Sequence, residues 1–145
     1  MNKNIISVSL GIFALLQTTS CATLDWDNYP QKKLLYKNRC EQVEPNNKND
    51  LADESRAKAI VVIPAQYPRK AAMHGIEGYV KFEVDVDSEG RPKNINAVES
   101  YPLDLFVTSA TRAIEKWRFA PKKEQGQAVN DLCHRYTIEF DVAKN

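Results

Sequence analysis

Along 79–86 apolar and polar residues alternate without a break. Val80, Phe82, Val84 and Val86 fall on one side, and Tyr79, Lys81, Glu83 and Asp85 on the other. A strand sends successive side chains to opposite faces, so this spacing predicts a half-buried strand with one dry and one wet face. The end of the chain repeats the pattern, with Tyr136, Ile138, Phe140 and Val142 opposed to Arg135, Thr137, Glu139 and Asp141. Between the two strands the period changes. In "YPLDLFVTSATRAIEKWRF" the residues Leu103, Phe106, Val107, Ala110, Ile114 and Trp117 recur at spacings of three and four, which predicts a helix with one apolar stripe. Asp104 in its first turn and Lys116 and Arg118 in its last suit the helix dipole.

Shorter signals fill in the rest. "YPRKAAMHG" predicts a two-turn helix, with Pro68 at the first helical position and Gly75 closing it. "DSEGRP" reads as a reversal in which Gly90 takes a positive φ, and "KNINAVES" as a weaker strand, an edge or bulged partner because of Asn94 and Asn96. The apolar run 60–63, stopped by Pro64, reads as an extended edge segment. The order helix, strand, strand, helix, strand predicts an α+β fold. Its economical packing is a two-layer sandwich, a small three-stranded antiparallel sheet with two helices on one face and water on the other.

The beginning of the chain has a different character. Lys3 precedes an apolar run over 5–16, followed by "QTTSCAT". A membrane span needs about 20 apolar residues, so this run suits a secretory signal better than a span. Two endings stay open: an ordinary cut after Ala22, or a bacterial lipoprotein signal covering 1–21 with Cys21 as its lipidated residue. A polar extension, 22–59, then leads to the patterned part, 60–145. In an oxidising compartment the remaining Cys40 and Cys133 are expected to pair, two free thiols being the alternative. Such a bond closes a loop of about 90 residues and contributes on the order of 4 kcal/mol in the chain-entropy model.

Charge and chemistry narrow the function. Twenty basic against nineteen acidic residues give a net charge of +1, which argues against nucleic acid as the main partner. His74 and His134 have no Ser or Cys nucleophile and no carboxylate at ligand spacing beside them in the sequence, so both read as structural or solvated. Asp85, Asp87 and Glu89 lack the spacing of a calcium loop and read as strand-face and turn carboxylates. With no metal, cofactor or catalytic constellation to assemble, the expectation is a non-enzymatic chain. Trp117 reads as core. The basic set Arg112, Lys116, Arg118, Lys122 and Lys123 reads as a solvated helix face, with an acidic partner or lipid headgroups as the alternative.

The landmarks Tyr67-Pro68, Gly75, Gly78 with Val80, Gly90, Ser100, Trp117-Arg118-Phe119 with Pro121, and Gly126 follow one another over 60–143. In this order and spacing they resemble the TonB C-terminal domain. The resemblance implies a periplasmic module that binds proteins, above all TonB-dependent outer-membrane receptors, by accepting an extended segment beside the last strand. Carried onto this sequence, that edge includes Leu132, His134, Tyr136, Ile138 and Phe140, with the Tyr67-Pro68 corner nearby. Full TonB proteins add a membrane helix coupled to a proton-driven motor and a proline-rich spacer, and neither pattern is visible here. The expectation is therefore a stand-alone envelope protein, periplasmic or held at the outer membrane through Cys21, that binds partners rather than transducing energy alone. The competing expectation is a structural envelope lipoprotein whose sheet edge closes on itself or forms a homodimer.

Overall fold

A computed structural model of the chain describes residues 24–40 and 56–144. The signal-like segment with Cys21 and the stretch 41–55 lie outside the described residues. The elements are β1 (Leu34–Leu35), β2 (Lys58–Val61), α1 (Arg69–Met73), β3 (Gly78–Val86), β4 (Pro92–Tyr101), α2 (Val107–Ile114), β5 (Arg118–Ala120), β6 (Lys122–Glu124), β7 (Gln127–Val129) and β8 (Asp131–Phe140). A 3-10 turn, Val142–Lys144, follows.

The main sheet has four strands, not the three expected, in the order β1-β4-β3-β8 with every pair antiparallel. The extra strand comes from the N-terminal extension: Leu34 and Leu35 pair with Ser100 and Glu99 on the outer side of β4. A two-stranded ribbon, β2-β5, and a hairpin, β6-β7, stand beside it. The hairpin turns through Gln125 and Gly126, both at positive φ, the geometry of a type I′ turn. β3 is central, as its unbroken alternation requires. Val80, Phe82, Val84 and Val86 are fully buried and meet Phe106, Ile114 and Phe140 in the core.

β3 enters at Gly78 and leaves through a turn at Gly90, two positions where no other residue fits. A Cβ on Gly78 would collide with the Tyr101 carbonyl and sit 2.7 Å from the Phe106 ring. Gly90 has φ +76°, and a Cβ there would strike the Phe119 carbonyl, whose own N–H donates to the Gly90 oxygen at 2.9 Å.

Both helices are shorter than their apolar periods. α1 begins at Arg69, with Pro68 just ahead of it and the Pro68 carbonyl taking the Ala72 N–H at 3.0 Å. α2 covers only Val107–Ile114 of the expected 103–117. At the front, Leu103 adopts φ +48° and gives its N–H to the Lys32 carbonyl, while its own carbonyl takes the Ser100 hydroxyl. The N–H thus serves the docked extension and the carbonyl serves β4, instead of a first helical turn. At the back, Lys116 and Trp117 bond to residues three positions earlier, and the chain then pairs as β5 with β2. Leu103 and Trp117 still pack on or in the core, so the apolar stripe reported burial correctly and length incorrectly. The last strand also stops early: it ends at Phe140, and Val142 is exposed in the 3-10 turn.

The second face of the sheet is not the wet surface that the alternation suggests. Glu83 and Asp85 are 0% and 4% exposed. The described part of the extension, 24–40, crosses this face and reaches Glu83 with its residues 39 and 40. Glu83 Oε2 accepts the N–H groups of Arg39 (2.9 Å) and Cys40 (3.0 Å), and the Arg39 guanidinium donates to Asp85 at 2.8 Å. Cys40 and Cys133 are joined by a disulfide.

Candidate functional site

β8 forms one border of the main sheet. Its inner side pairs with β3 from Gly78↔Phe140 to Val86↔Asp131, and no strand lies on its outer side among the described residues. Tyr136, Ile138 and Phe140 pair with Phe82, Val80 and Gly78 and share their helix-covered face, while Arg135, Thr137 and Glu139 follow the opposite face.

The start of β8 is already committed. Arg56 spans Asp131 with its Nε and Nη2 at 3.3 and 3.0 Å, and the same Nη2 donates to the Leu132 carbonyl at 2.9 Å. The Ala57 N–H adds a fourth contact, to Asp131 Oδ2, at 2.8 Å. Cys133 bulges at φ +62° and donates its N–H to Asp85 at 3.0 Å. Among the described residues, the stretch of the edge whose main chain no other strand or strap residue engages on the outer side is therefore 134–140, shorter than the 132–140 expected. Leu132 itself remains exposed as a side chain.

His134 points inward. Its Nε2 lies 2.7 Å from Asp131, its ring stacks on Tyr136, and only 10% of the side chain is exposed. Burial lowers the affinity of this imidazole for a proton, and the neighbouring Asp131 only partly restores it. For Asp131, burial pushes upward, but Arg56, the Ala57 N–H and His134 outweigh it and hold the carboxyl below its ordinary value. Burial drives the Tyr136 hydroxyl up to about 12. His134 thus offers a partner its main chain rather than its ring.

Tyr67 and Pro68 sit at the far end of the same strand. The Tyr67 ring meets Phe140 and Phe106 edge-on, with centroids 5.5 and 5.7 Å away, and its hydroxyl donates to the Ile76 carbonyl at 2.8 Å. The corner expected to lie near the last strand does so, with Tyr67 bracing Phe140.

On the second face, cross-strand polar pairs stiffen the platform. Glu99 accepts from the Tyr79 hydroxyl (2.6 Å) and lies near Lys81 (3.0 Å) and Lys33 (3.3 Å). The Tyr79 hydroxyl, followed by Lys81, holds the Glu99 carboxyl down at about 2. His74, at the end of α1, meets Asp27 of the extension at 3.0 Å and stacks on Trp26. Among the described residues no group of three or more His, Cys, Asp or Glu side chains is arranged to hold a metal ion.

Comparison with known proteins fits this geometry to a family. The model described as the Gram-negative bacterial TonB protein C-terminal matches residues 64–142, more than half of the chain. The chain belongs to the TonB C-terminal family. It is 38% identical over 77 residues to the protein TonB of Pseudomonas aeruginosa, covering 53% of this chain and 22% of that protein. It is 37% identical over 68 residues to the protein TonB of Escherichia coli, covering 46% of this chain and 28% of that protein. The solution structure of the Pseudomonas aeruginosa TonB C-terminal domain superposes with a TM-score of 0.54 at 33% identity, over 64% of this chain and 93% of that one. The chain spans about a quarter of the length of the curated TonB proteins it matches.

What sequence reasoning missed lies before the matched region. Arg39 and Arg56, which tie the sheet to the extension, sit in polar stretches without a period. The usable signal was the cysteine pair: a Cys40–Cys133 bond forces 39–40 over the end of β3, where Glu83 and Asp85 wait.

Proposed function

We propose that this chain is an exported, non-catalytic binding module whose β8 edge accepts an extended segment of a TonB-dependent outer-membrane receptor or a related envelope protein. One observation carries the reading: in a domain of the TonB C-terminal family, 134–140 borders the sheet with no strand on its outer side among the described residues. Such an edge offers N–H and C=O groups in register for an added strand, and alternate side chains select the partner. Leu132, His134, Tyr136, Ile138 and Phe140, with the Tyr67-Pro68 corner, line or brace that edge. In this reading 1–21 is an export signal, 22–59 an extension strapped to the sheet, and 60–145 the binding domain, placed in the periplasm and held at the outer membrane if Cys21 is lipidated.

The test is fluorescence anisotropy with labelled peptides from the N-terminal extended segments of receptors of the same cell. Wild-type chain binds, and Thr137→Pro or Ile138→Pro, whichever keeps its far-ultraviolet circular dichroism, loses binding. Equal binding by a folded proline variant contradicts the reading. The same open edge also fits a second copy of this chain, and a dimer in sedimentation that dissociates in the proline variant would favour that alternative.

A further inference from the structure

A cationic tract lies on the helical side of the sheet. Arg69 and Lys70 open α1, Arg112 sits on α2, and Lys116 follows just past the end of α2. All four are exposed, and Arg69, Arg112 and Lys116 line one groove that has no carboxylate in its walls. Lys70 continues the tract toward the start of the described chain, with its Nζ 5.5 Å from the centre of the Trp26 ring. Cations elsewhere have carboxylate partners, as in Arg39–Asp85, Arg56–Asp131 and Lys81–Glu99. None of the four forms an ion pair among the described residues. Positive charge left uncompensated on one side favours an anionic surface.

Two apolar side chains border the tract. Met73, one turn beyond Arg69 on α1, is 73% exposed, and Leu24 is 55% exposed. Leu24 stands two residues before Trp26, whose ring stacks on His74 at the end of α1 with centroids 6.0 Å apart. The carboxylates nearby are engaged within the protein. Asp27 meets His74 at 3.0 Å, and Asp25 accepts the N–H groups of Asp27 and Asn28 at 3.1 and 3.3 Å. Glu115, between Arg112 and Lys116 in the chain, does not line their groove.

The chain also arrives at this place. Its described residues begin at Leu24, three residue steps after Cys21. An extended chain covers at most about 3.6 Å per residue, so Cys21 lies no farther than about 11 Å from Leu24. With Cys21 lipidated, a condition taken over from the function proposed above, the acyl chains enter the bilayer beside α1. So short a tether leaves this side of the domain next to the lipid.

We infer that Arg69, Lys70, Arg112 and Lys116, bordered by Leu24 and Met73, form a docking surface for an anionic phospholipid membrane. The guanidinium and ammonium groups meet lipid phosphates, while Leu24 and Met73 enter the headgroup boundary. Trp26 lies at the interface, where an apolar ring with a polar N–H is favoured. The acyl anchor supplies attachment and the tract supplies orientation. An acidic protein would also meet the cations, but it leaves the short tether and the two apolar side chains without a role. None of the six residues belongs to β8, so the edge at 134–140 stays open while the domain rests on lipid.

The test uses the full chain, expressed from Met1 in a Gram-negative cell, purified from membranes and weighed by mass spectrometry for acylation. It is placed in nanodiscs of phosphatidylethanolamine and phosphatidylglycerol containing lipid with a headgroup nitroxide, and its amide resonances are followed. The expected result is loss of signal by paramagnetic broadening at 24–26, 69–73 and 112–116, with 134–140 unaffected. In Arg112→Gln/Lys116→Gln the signals over 69–73 and 112–116 return, while 24–26 stay broadened because the tether remains. Discs without phosphatidylglycerol, or added salt, have the same effect as the double variant.

The surface is overturned if the acylated wild-type chain is broadened only at 24–26, as a bare tether would give, or on another face. It is equally overturned if the double variant, folded by circular dichroism, is broadened like wild type. Resonances over 112–116 that stay sharp on the discs and shift with soluble polyglutamate would assign the tract to an acidic protein instead. An unacylated mature chain contradicts the reading of Cys21 and the surface together, and that failure is seen in the mass rather than in the spectrum.

Discussion

The main-chain N–H of Cys40 donates to the Glu83 carboxylate at 3.0 Å, and the same oxygen takes the N–H of Arg39 at 2.9 Å. A side chain in the middle of the central strand therefore holds the end of the N-terminal strap. Replacing it strands the Arg39 N–H, leaves the Cys40 N–H only the Asn38 side-chain oxygen at 3.0 Å, and removes the partner that Arg135 faces at 3.8 Å. Glu83→Ala is expected to lower the stability by about 1–3 kcal/mol, because a donor left without its acceptor carries its full desolvation cost. Urea denaturation followed by tryptophan fluorescence measures it, and a change below about 0.5 kcal/mol, the scale of an ordinary surface substitution, would show that the strap is not held there.

The disulfide fastens the same strap to β8. With the two cysteines 93 positions apart, Cys40→Ser/Cys133→Ser is expected to lose about 4 kcal/mol in the chain-entropy model. Wild-type chain treated with reductant before denaturation should show the same midpoint as the double variant. A clear difference between the two midpoints would mean that the serines perturb the bulge at Cys133 by themselves.

His134 gives the stability a pH dependence. Its folded proton affinity is lowered, so the unfolded chain takes up the proton first as the pH falls. The stabilisation is complete above the ordinary histidine value, about 6.5, and is lost as the pH falls from there through the lowered folded value. Denaturation curves at steps between about pH 7.5 and 5 should show stability declining with acid, with a smaller slope in His134→Gln. A wild-type chain that gains stability over that range would contradict the buried, neutral imidazole. Carboxylates contribute only lower down: Glu99, held at about 2, loses its share as the pH falls through about 4 and on to that value.

The sequence made some of this legible and hid the rest for physical reasons. Alternation on β3 and β8 reports which side chains prefer water, so the core face and the antiparallel pairing were readable from Val80 to Val86 and from Tyr136 to Phe140. It does not report what later covers a polar face, so Glu83 and Asp85 looked wet. For Asp85, burial pushes the carboxyl upward, but Arg39, Asn94 and the Cys133 N–H outweigh it and keep it below its ordinary value. The strap escaped notice because Leu34 and Leu35 form a two-residue strand, too short for a period. The stripe from Leu103 to Trp117 overstated α2, because packing on one core does not require one continuous helix. At the site, the resemblance pointed to β8 as a whole, and only the coordinates placed Arg56 on Asp131 and the Leu132 carbonyl.

The most direct test of the account is amide hydrogen exchange on the full chain, with and without a receptor's N-terminal extended segment. The account predicts that alternate amides over 134–140, those facing away from β3, gain protection when the segment is added, while the β4 side, closed by β1, does not change. Binding without new protection on β8, or with protection confined to other elements, would contradict strand addition at this edge.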